Sequence, residues 1–296
     1  GENEVPRDMS VEYYRQRAST EGTLIISEAT QICPGGQGYP NTPGIHSKDQ
    51  VEAWTKIVDA VHSEKSYIFA QLWHVGRVSH TSFSENGELP VSSSEVPAEG
   101  NGFTKDNQLV PYLKPHALTV DEIKNVVDVY RAAAQNAKDA GFDGVELHSA
   151  NGYLCHQFLE DGVNQRTDQY GGSYENRSRF LLEIIDAIST VYPTDRIGVR
   201  LAPWGPFLSM SDSNPLELYK HVLQALDQKN ISYVHLIEAR IAGNAENKAF
   251  ETQAHNFVSA TLRPYFKGTL IAAGGYTRET AVEAVENGIA DLVAFG

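Results

Sequence analysis

Cysteine is nearly absent from this sequence, since Cys33 and Cys155 are the only two among 296 residues. Two cysteines are too few for a disulfide framework, and they do not form the C-x-x-C pair of a thiolate metal site. The histidines show no metal motif either, because no carboxylate completes a ligand set with His148 and His156. We therefore expect no bound metal and a reducing, cytoplasmic compartment.

Positive charge is also scarce, with 24 Lys and Arg against 38 Asp and Glu and a formal net charge of −14. Such an acidic surface repels nucleic-acid phosphates and anionic lipids. No apolar run approaches the roughly 20 residues that span a bilayer. The first residues also lack the basic start and apolar stretch of a signal peptide. We expect no nucleic-acid partner, no membrane span and no signal peptide within this sequence.

Motifs for nucleophilic catalysis and dinucleotide binding are missing as well. The sequence has no G-x-S-x-G elbow, and neither cysteine lies beside an obvious base. No glycine-rich dinucleotide fingerprint follows an apolar run, which weakens the alternative of a doubly wound open sheet.

Hydrophobic periodicity predicts alternating strands and helices. Compact apolar runs of the kind buried on both faces predict seven strands, and amphipathic stretches predict the helices between them. The predicted strands are Thr23–Ser27, Tyr67–Leu72, Gly144–His148, Ile197–Leu201, Tyr233–Glu238, Thr269–Ala273 and Asp291–Phe295. The predicted helices are Met9–Ser19, Asp49–Glu64, Val120–Ala140, Ser173–Val191, Leu216–Gln228 and Thr277–Asn287.

The order of these elements predicts an α/β fold, a (β/α)₈ TIM barrel that lacks its first strand and its last helix. One strand before Met9 and one helix after Gly296 would complete the eight repeats of a closed barrel. We expect a single barrel domain over residues 1–296, partial at both ends and prone to aggregate through two unpaired edges. A long loop excursion at about 75–116 follows a strand end and is expected to cover the barrel mouth.

Functional residues of such a barrel lie at the carboxyl ends of its strands. Arg200 lies near the end of the apolar predicted strand Ile197–Leu201, where an arginine requires an acidic neighbour or an anionic ligand. Gly274, Gly275 and Gly296 end the last two predicted strands, where barrels commonly bind phosphate through bare backbone N–H groups.

Other strand-end residues allow a structural and a functional interpretation. His148 is either a buried histidine satisfied by the backbone or a ligand-binding group. Gln71 and Asn151 either tie loops together or recognise the polar edge of a heterocycle. Tyr39 and Trp73 are either core aromatics or walls for a planar ligand.

Motifs along essentially the whole chain resemble the old yellow enzyme family of FMN-dependent ene-reductases, which includes the 12-oxophytodienoate reductases. Their order and spacing together make the resemblance specific. The motifs are His148-Ser-Ala-Asn151-Gly-Tyr153-Leu, Glu12-Tyr-Tyr-Arg-Gln-Arg17-Ala, Gln71-Leu-Trp73-His-Val-Gly-Arg77, the run Asn164 to Arg177 (NQRTDQYGGSYENR), and Ala273-Gly-Gly275-Tyr-Thr277.

The resemblance implies roles for three catalytic residues. His148 and Asn151 are expected to hold the carbonyl oxygen of an α,β-unsaturated substrate and to stabilise the enolate-like charge that forms during reduction. Tyr153 is expected to give a proton to the α-carbon.

The resemblance also implies the binding residues and the activity. FMN, held noncovalently, would take hydride from NADPH or NADH for the reduction of an enone or enal by a monomer or homodimer. The family's Pro-x-Thr or Pro-x-Cys segment and its phosphate-binding arginine after Phe-Gly have no counterpart in this sequence. Alternatives are a truncated, flavin-free barrel without activity and a related barrel flavoenzyme acting as isomerase or oxidase. The residues implied for FMN are Ala29, Gln71, Arg200, Gly274, Gly275 and Gly296, and those for substrate are Tyr39, Trp73, His148, Asn151 and Phe207.

Overall fold

The computed structural model describes residues 2–243, 245–250, 254 and 256–296. The helices are α1 (Met9–Arg17), α2 (Lys48–Ser63), α3 (Val120–Asp139), α4 (Leu154–Leu159), α5 (Tyr174–Ile188), α6 (Pro215–Gln228), α7 (Phe257–Leu262) and α8 (Arg278–Glu286). The strands are β1 (Leu24–Ile26), β2 (Thr30–Gln31), β3 (Tyr67–Trp73), β4 (Val91–Ser92), β5 (Asn101–Phe103), β6 (Leu109–Pro111), β7 (His116–Ala117), β8 (Gly144–Ser149), β9 (Ile197–Leu201), β10 (Tyr233–Ile237), β11 (Ile241–Ala242), β12 (Ala245–Glu246), β13 (Thr269–Ala273) and β14 (Leu292–Ala294).

Local sequence fixes where the main helices begin. The side chains of Ser47 and Thr119 each accept a hydrogen bond from the backbone N–H three residues on. In turn, the side chains of Gln50 and Glu122 accept a hydrogen bond from the backbone N–H of Ser47 and of Thr119. These capping boxes satisfy N–H groups that the first helical turn leaves free. Gly141, two residues after the end of α3, adopts a φ of +91° that a glycine accommodates without strain.

The seven predicted strands form one parallel sheet in chain order, β1-β3-β8-β9-β10-β13-β14, with β2 pairing alongside the end of β3. At least one α-helix separates each pair of consecutive strands in this order, which is the repeat of a (β/α) barrel. Within the described residues, no pairing joins β14 to β1. This order agrees with the predicted α/β barrel architecture.

Alternate residues of the strands face two different cores, as the two-residue period of a strand requires. On β3, Ile68 and Leu72 pack among the helices, whereas Phe69 packs with Tyr233 and Ile271 inside the curved sheet. Gly198 on β9 makes room for this inner packing, because a Cβ there would lie 2.2 Å from the ring of Tyr233. The inner face therefore carries an apolar cluster near the start of the strands, and its polar side chains lie further along them.

The segment from residue 75 to 116 contains short strands that the sequence pattern did not predict. β5 and β6 form an antiparallel hairpin, and β4 pairs in parallel with β7. The helices α4 and α7 were also missed, because six residues are too few to show a helical period.

No helix in the described part of the chain is long and apolar enough to cross a membrane.

Candidate active site

An aromatic cleft of about 490 Å³ lies at the carboxyl ends of the strands. The structure brings together five residues that the sequence analysis had singled out, and it adds side chains from the hairpin β5–β6 and the loop after β9. The lining residues are Tyr39, Trp73, Asn101, Phe103, Tyr112, Asn151, Tyr153, Phe207, Leu208 and Gly243. The hairpin contributions were not predicted, since nothing local in the sequence shows where a loop excursion folds back.

Tyr153 lines this cleft together with Tyr39 and Trp73. Its hydroxyl lies 3.2 Å from that of Tyr39, and its ring packs edge-on against Trp73, with 5.0 Å between the ring centroids. Burial, together with the neighbouring Tyr39 hydroxyl, raises the pKa of Tyr153 well above its ordinary value. The hydroxyl is therefore protonated throughout the neutral range and is available as a proton donor.

The turn before Tyr153 has a backbone that few sequences tolerate. Asn151 and Gly152 both have positive φ, +54° and +76°, and asparagine and glycine are the residues that adopt this region at least cost. A Cβ at Gly152 would also lie 2.8 Å from Cβ of Leu208. The sequence Asn-Gly is therefore required for Asn151 to line the cleft beside Tyr153.

His148 lies behind the cleft lining rather than on it. Only 4% of the residue is exposed, and its ring meets that of Tyr153 edge-on, 4.9 Å between the centroids. Burial and then the charge of Arg200 lower the pKa of His148 to about 3. The imidazole is therefore neutral at physiological pH and can donate one hydrogen bond without carrying a charge.

A buried polar layer lies beside His148 and was not predicted from the sequence. Glu146 accepts a hydrogen bond of 2.6 Å from Nε2 of Gln71 and another, of 2.9 Å, from Nδ1 of His235. The strand register places Arg200 between His148 and His235. Glu146 was missed although it occurs on an apolar strand, the same signal that had singled out Arg200. Glu146 is the acidic neighbour that an arginine on an apolar strand requires. Burial lowers the pKa of Arg200, and the negative charge of Glu146 opposes that lowering.

The charge on Glu146 should make the stability of the fold depend on pH in the acid range. Burial alone would raise the pKa of Glu146, but His235, Arg200 and the Gln71 hydrogen bond outweigh it and lower the pKa to about 2 from 4.5. A lowered pKa stabilises the fold above the unfolded-state pKa, and this stabilisation is lost as the pH falls from 4.5 towards 2. We expect the unfolding free energy difference between wild type and Glu146→Gln to shrink by about 2 kcal/mol between pH 6 and pH 3. Urea unfolding at both pH values measures it, and a constant difference contradicts the prediction.

The predicted phosphate-binding glycines lie near an arginine that the sequence analysis gave no role. Gly274 and Gly275 follow β13 with φ of +110° and +66°. Nε of Arg240 donates a 3.1 Å hydrogen bond to the carbonyl of Gly274, and a Cβ at Gly275 would lie 3.2 Å from the Arg240 guanidinium. Gly296 is exposed and follows β14 by two residues.

Arg200, one of the residues implied for FMN, and its neighbours on the adjacent strands leave buried polar atoms that a bound polar group could pair with. Three of these buried atoms have no hydrogen-bond partner within the described residues, namely Nδ1 of His148, Nε of Arg200 and Nε2 of His235. Ala29 packs against the cluster of Trp73 and Tyr153. Buried nitrogens are costly to leave without a hydrogen-bond partner, so these three are consistent with a site shaped for a polar ligand.

Comparison with known proteins assigns the family. A model of the NADH:flavin oxidoreductase / NADH oxidase family matches residues 1–296. This chain belongs to that family. The flavoenzyme is 46% identical over 293 residues to 12-oxophytodienoate reductase 1 of Oryza sativa subsp. japonica, a match covering 99% of this chain and 74% of that protein. It is 43% identical over 292 residues to 12-oxophytodienoate reductase 2 of Arabidopsis thaliana, covering 99% and 76%.

Solved structures give the same assignment. Morphinone reductase in complex with tetrahydroNAD superposes with a TM-score of 0.90 at 43% identity, covering 99% of this chain and 78% of that one. The old yellow enzyme homologue from Zymomonas mobilis superposes with a TM-score of 0.92 at 40% identity, covering 99% and 80%. The resemblance found in the sequence is confirmed, and the protein is an FMN-dependent oxidoreductase that uses a nicotinamide cofactor. The alternative of an inactive, flavin-free barrel is not favoured.

The part of the chain that the structure describes contains no cluster of three or more His, Cys, Asp or Glu side chains that could hold a metal ion.

Proposed function

We propose that this flavoenzyme reduces the activated C=C bond of α,β-unsaturated carbonyl compounds, with NADPH or NADH as electron source. The observation that carries the proposal is a protonated phenol and an amide on the wall of one cleft, with a neutral imidazole packed directly behind the phenol ring. These groups are His148, Asn151 and Tyr153, and the hydroxyls of Tyr153 and Tyr39 are 3.2 Å apart. The aromatic walls suit a flat, conjugated substrate.

The roles follow from the charge that forms during the reaction. The chemistry that bound FMN would supply is hydride transfer from the nicotinamide to the β-carbon of the substrate. His148 and Asn151 donate hydrogen bonds to the carbonyl oxygen, where negative charge develops, and a donor that is already in place needs no reorganisation. Tyr153 gives its hydroxyl proton to the α-carbon, and the Tyr39 hydroxyl at 3.2 Å can return a proton to it.

FMN would be held by residues on three sides of the strand ends. Gln71 would hydrogen-bond the polar edge of the ring, and Arg200 would balance the negative charge of the reduced ring. Ala29 would pack beside it, and Gly274, Gly275 and Gly296 would approach the phosphate. Tyr39, Trp73 and Phe207 would contact the substrate. We further propose a monomer or homodimer in the cytoplasm, a compartment in which Cys33 and Cys155, both free, stay reduced.

The visible absorption spectrum tests the proposal most directly. The purified chain is mixed with FMN, freed of excess, reduced anaerobically with NADPH or NADH, and then mixed with a cyclic enone. We expect a retained flavin band that bleaches with the nicotinamide and returns with the enone. A colourless protein contradicts the proposed FMN residues, whereas a bleached band that the enone does not restore contradicts alkene reduction.

The rate of alkene reduction should be independent of pH between 5 and 8. The pKa of His148 lies near 3 and that of Tyr153 well above 10, so neither group changes charge in this range.

We also expect His148→Ala to weaken enone binding by about tenfold or more, because one charge-stabilising donor is lost. Stopped-flow reoxidation of the reduced enzyme over this range measures both. An inflection that His148→Ala abolishes would contradict the neutral imidazole.

A further inference from the structure

Behind the turn that carries Tyr153 lies a buried group that the proposed chemistry does not use. It consists of His156 on α4, Glu160 directly after that helix and Tyr219 on α6, all at most 2% exposed. Nε2 of His156 lies 2.9 Å from Oε1 of Glu160 and 2.8 Å from the Tyr219 hydroxyl. The Tyr219 hydroxyl in turn donates to the same carboxylate oxygen at 3.0 Å.

The other nitrogen of His156 fixes the tautomer. The backbone N–H of Gly152 donates a 2.9 Å hydrogen bond to Nδ1 of His156. A backbone N–H is always a donor, so Nδ1 must carry a lone pair and the proton of the neutral ring must be on Nε2. That proton then points at Glu160 and Tyr219, both within hydrogen-bond distance.

The hydrogen bond to His156 acts on the most constrained part of the site. Gly152 lies between Asn151 and Tyr153, and both Asn151 and Gly152 have positive φ. From the other side, Nε2 of Gln157 donates to the carbonyl of Gly152 at 2.7 Å. Both polar atoms of the Gly152 backbone are thus held by side chains from α4.

A turn in this conformation needs such support. Residues with positive φ cost free energy that the surrounding structure must offset. If Gly152 loses its acceptor, its N–H becomes a buried, unpaired donor, and the turn shifts to find another partner. A shift of the turn moves the Tyr153 hydroxyl relative to Tyr39, and small misplacements of a reacting group slow catalysis steeply.

We propose that His156 is a positioning residue that, through Nδ1, fixes the Asn151–Tyr153 turn and so aims the Tyr153 hydroxyl into the cleft. Glu160 and Tyr219 hold its ring in the required tautomer. The consequence for catalysis rests on the proton-donor role proposed above for Tyr153, whereas the clamp on the turn does not.

The first experiment reads the tautomer in the wild-type holoenzyme. Two-dimensional ¹⁵N NMR of the histidine rings distinguishes an unprotonated Nδ1 from a protonated one. We expect His156 to show an unprotonated Nδ1 and a protonated Nε2 at neutral pH. A proton on Nδ1 overturns the proposal, because Gly152 N–H then has no acceptor there.

The second experiment compares His156→Leu with His156→Asn, whose Oδ1 occupies the place of Nδ1 and still accepts from Gly152. His221→Leu on α6 is the matched control, since the ring of His221 lies against α5, with Nε2 3.4 Å from the Ser178 hydroxyl and its centroid 6.3 Å from that of Tyr174. In His156→Leu we expect amide hydrogen exchange at Gly152 to rise about tenfold and alkene reduction to slow about tenfold. Flavin reduction by the nicotinamide should change by less than about twofold, and His156→Asn should restore most of both properties.

The outcomes separate positioning from a merely structural role. Equal loss of both half-reactions in His156→Leu without rescue by His156→Asn contradicts the proposal, as does unchanged exchange at Gly152. If His156→Leu does not fold, the positioning role is tested by the tautomer of His156 in the wild type and by His156→Asn. That variant must keep both exchange protection at Gly152 and alkene reduction. Failure of the Tyr153 role shows up separately, as normal alkene reduction by Tyr153→Phe with the clamp still intact.

Discussion

Replacing Tyr153 with phenylalanine is expected to slow alkene reduction by about 10²–10⁴-fold while flavin reduction by the nicotinamide stays unchanged. The substitution removes only the hydroxyl, whose pKa lies well above its ordinary value and which therefore carries its proton at neutral pH. The ring still packs against Trp73 and His148, so the cleft keeps its shape. Stopped-flow measurement of the two half-reactions separates the two rates.

Two variants control this experiment. Tyr39→Phe removes the hydroxyl partner at 3.2 Å but leaves the donor, so a loss of less than about tenfold is expected. Tyr67→Phe changes a tyrosine that is 51% exposed at the start of β3, and it should leave both rates unchanged. Equal slowing of both half-reactions in Tyr153→Phe would show that Tyr153 shapes the site without donating the proton.

Arg77→Met is expected to destabilise the fold by about 3 kcal/mol or more, the largest stability effect that we anticipate for a single substitution at the cleft. Arg77 is fully buried, and burial lowers its pKa to about 10, so it is charged at neutral pH. Its guanidinium donates to the carbonyls of Val96 and Pro97 at 3.1 and 3.2 Å and to that of Leu208 at 2.8 Å. Removing it leaves these carbonyls without a donor.

The same substitution should loosen the cleft wall, because Arg77 joins the 75–116 excursion to the loop after β9. Leu208 and Ser209 in that loop have positive φ, +58° and +60°, a conformation that non-glycine residues keep only under restraint. Urea unfolding measures the loss of stability. Arg77→Lys is the matched variant, since it keeps the positive charge but lacks the planar guanidinium that reaches both loops. Full stability in Arg77→Lys would show that the charge alone suffices and would contradict a role for the guanidinium geometry.

Much of the fold could be predicted because its strands and helices are locally encoded. The strands Ile197–Leu201 and Thr269–Ala273 were predicted with their observed bounds, since compact apolar runs between turn residues have few other interpretations. The capping residues Ser47 and Thr119 are likewise local signals, since each bonds a backbone N–H only three residues on. The short strands β4 to β7 were not predicted, because their pairing is decided by partners distant in sequence.

The site could be predicted in part. Strand ends and the motif from His148 to Tyr153 identified candidates, and the structure gathers Tyr39, Trp73 and Tyr153 in one cleft. Their catalytic and binding roles stay predictions. No role was predicted for Glu146, although a carboxylate on an apolar strand is itself a signal. No role was predicted for Arg77 either, which was named only as part of a motif.

By itself, the sequence determined the alternation of elements, the barrel class and the family, because each depends on short residue patterns and on their order along the chain. Only the tertiary structure decided the electrostatics and geometry of the site. The neutral state of His148 depends on burial and on the charge of Arg200 from another strand. The tautomer of His156 depends on a backbone N–H in the turn and on Tyr219, 63 residues away. Charge and hydrogen bonding act through space, and sequence distance does not encode that space.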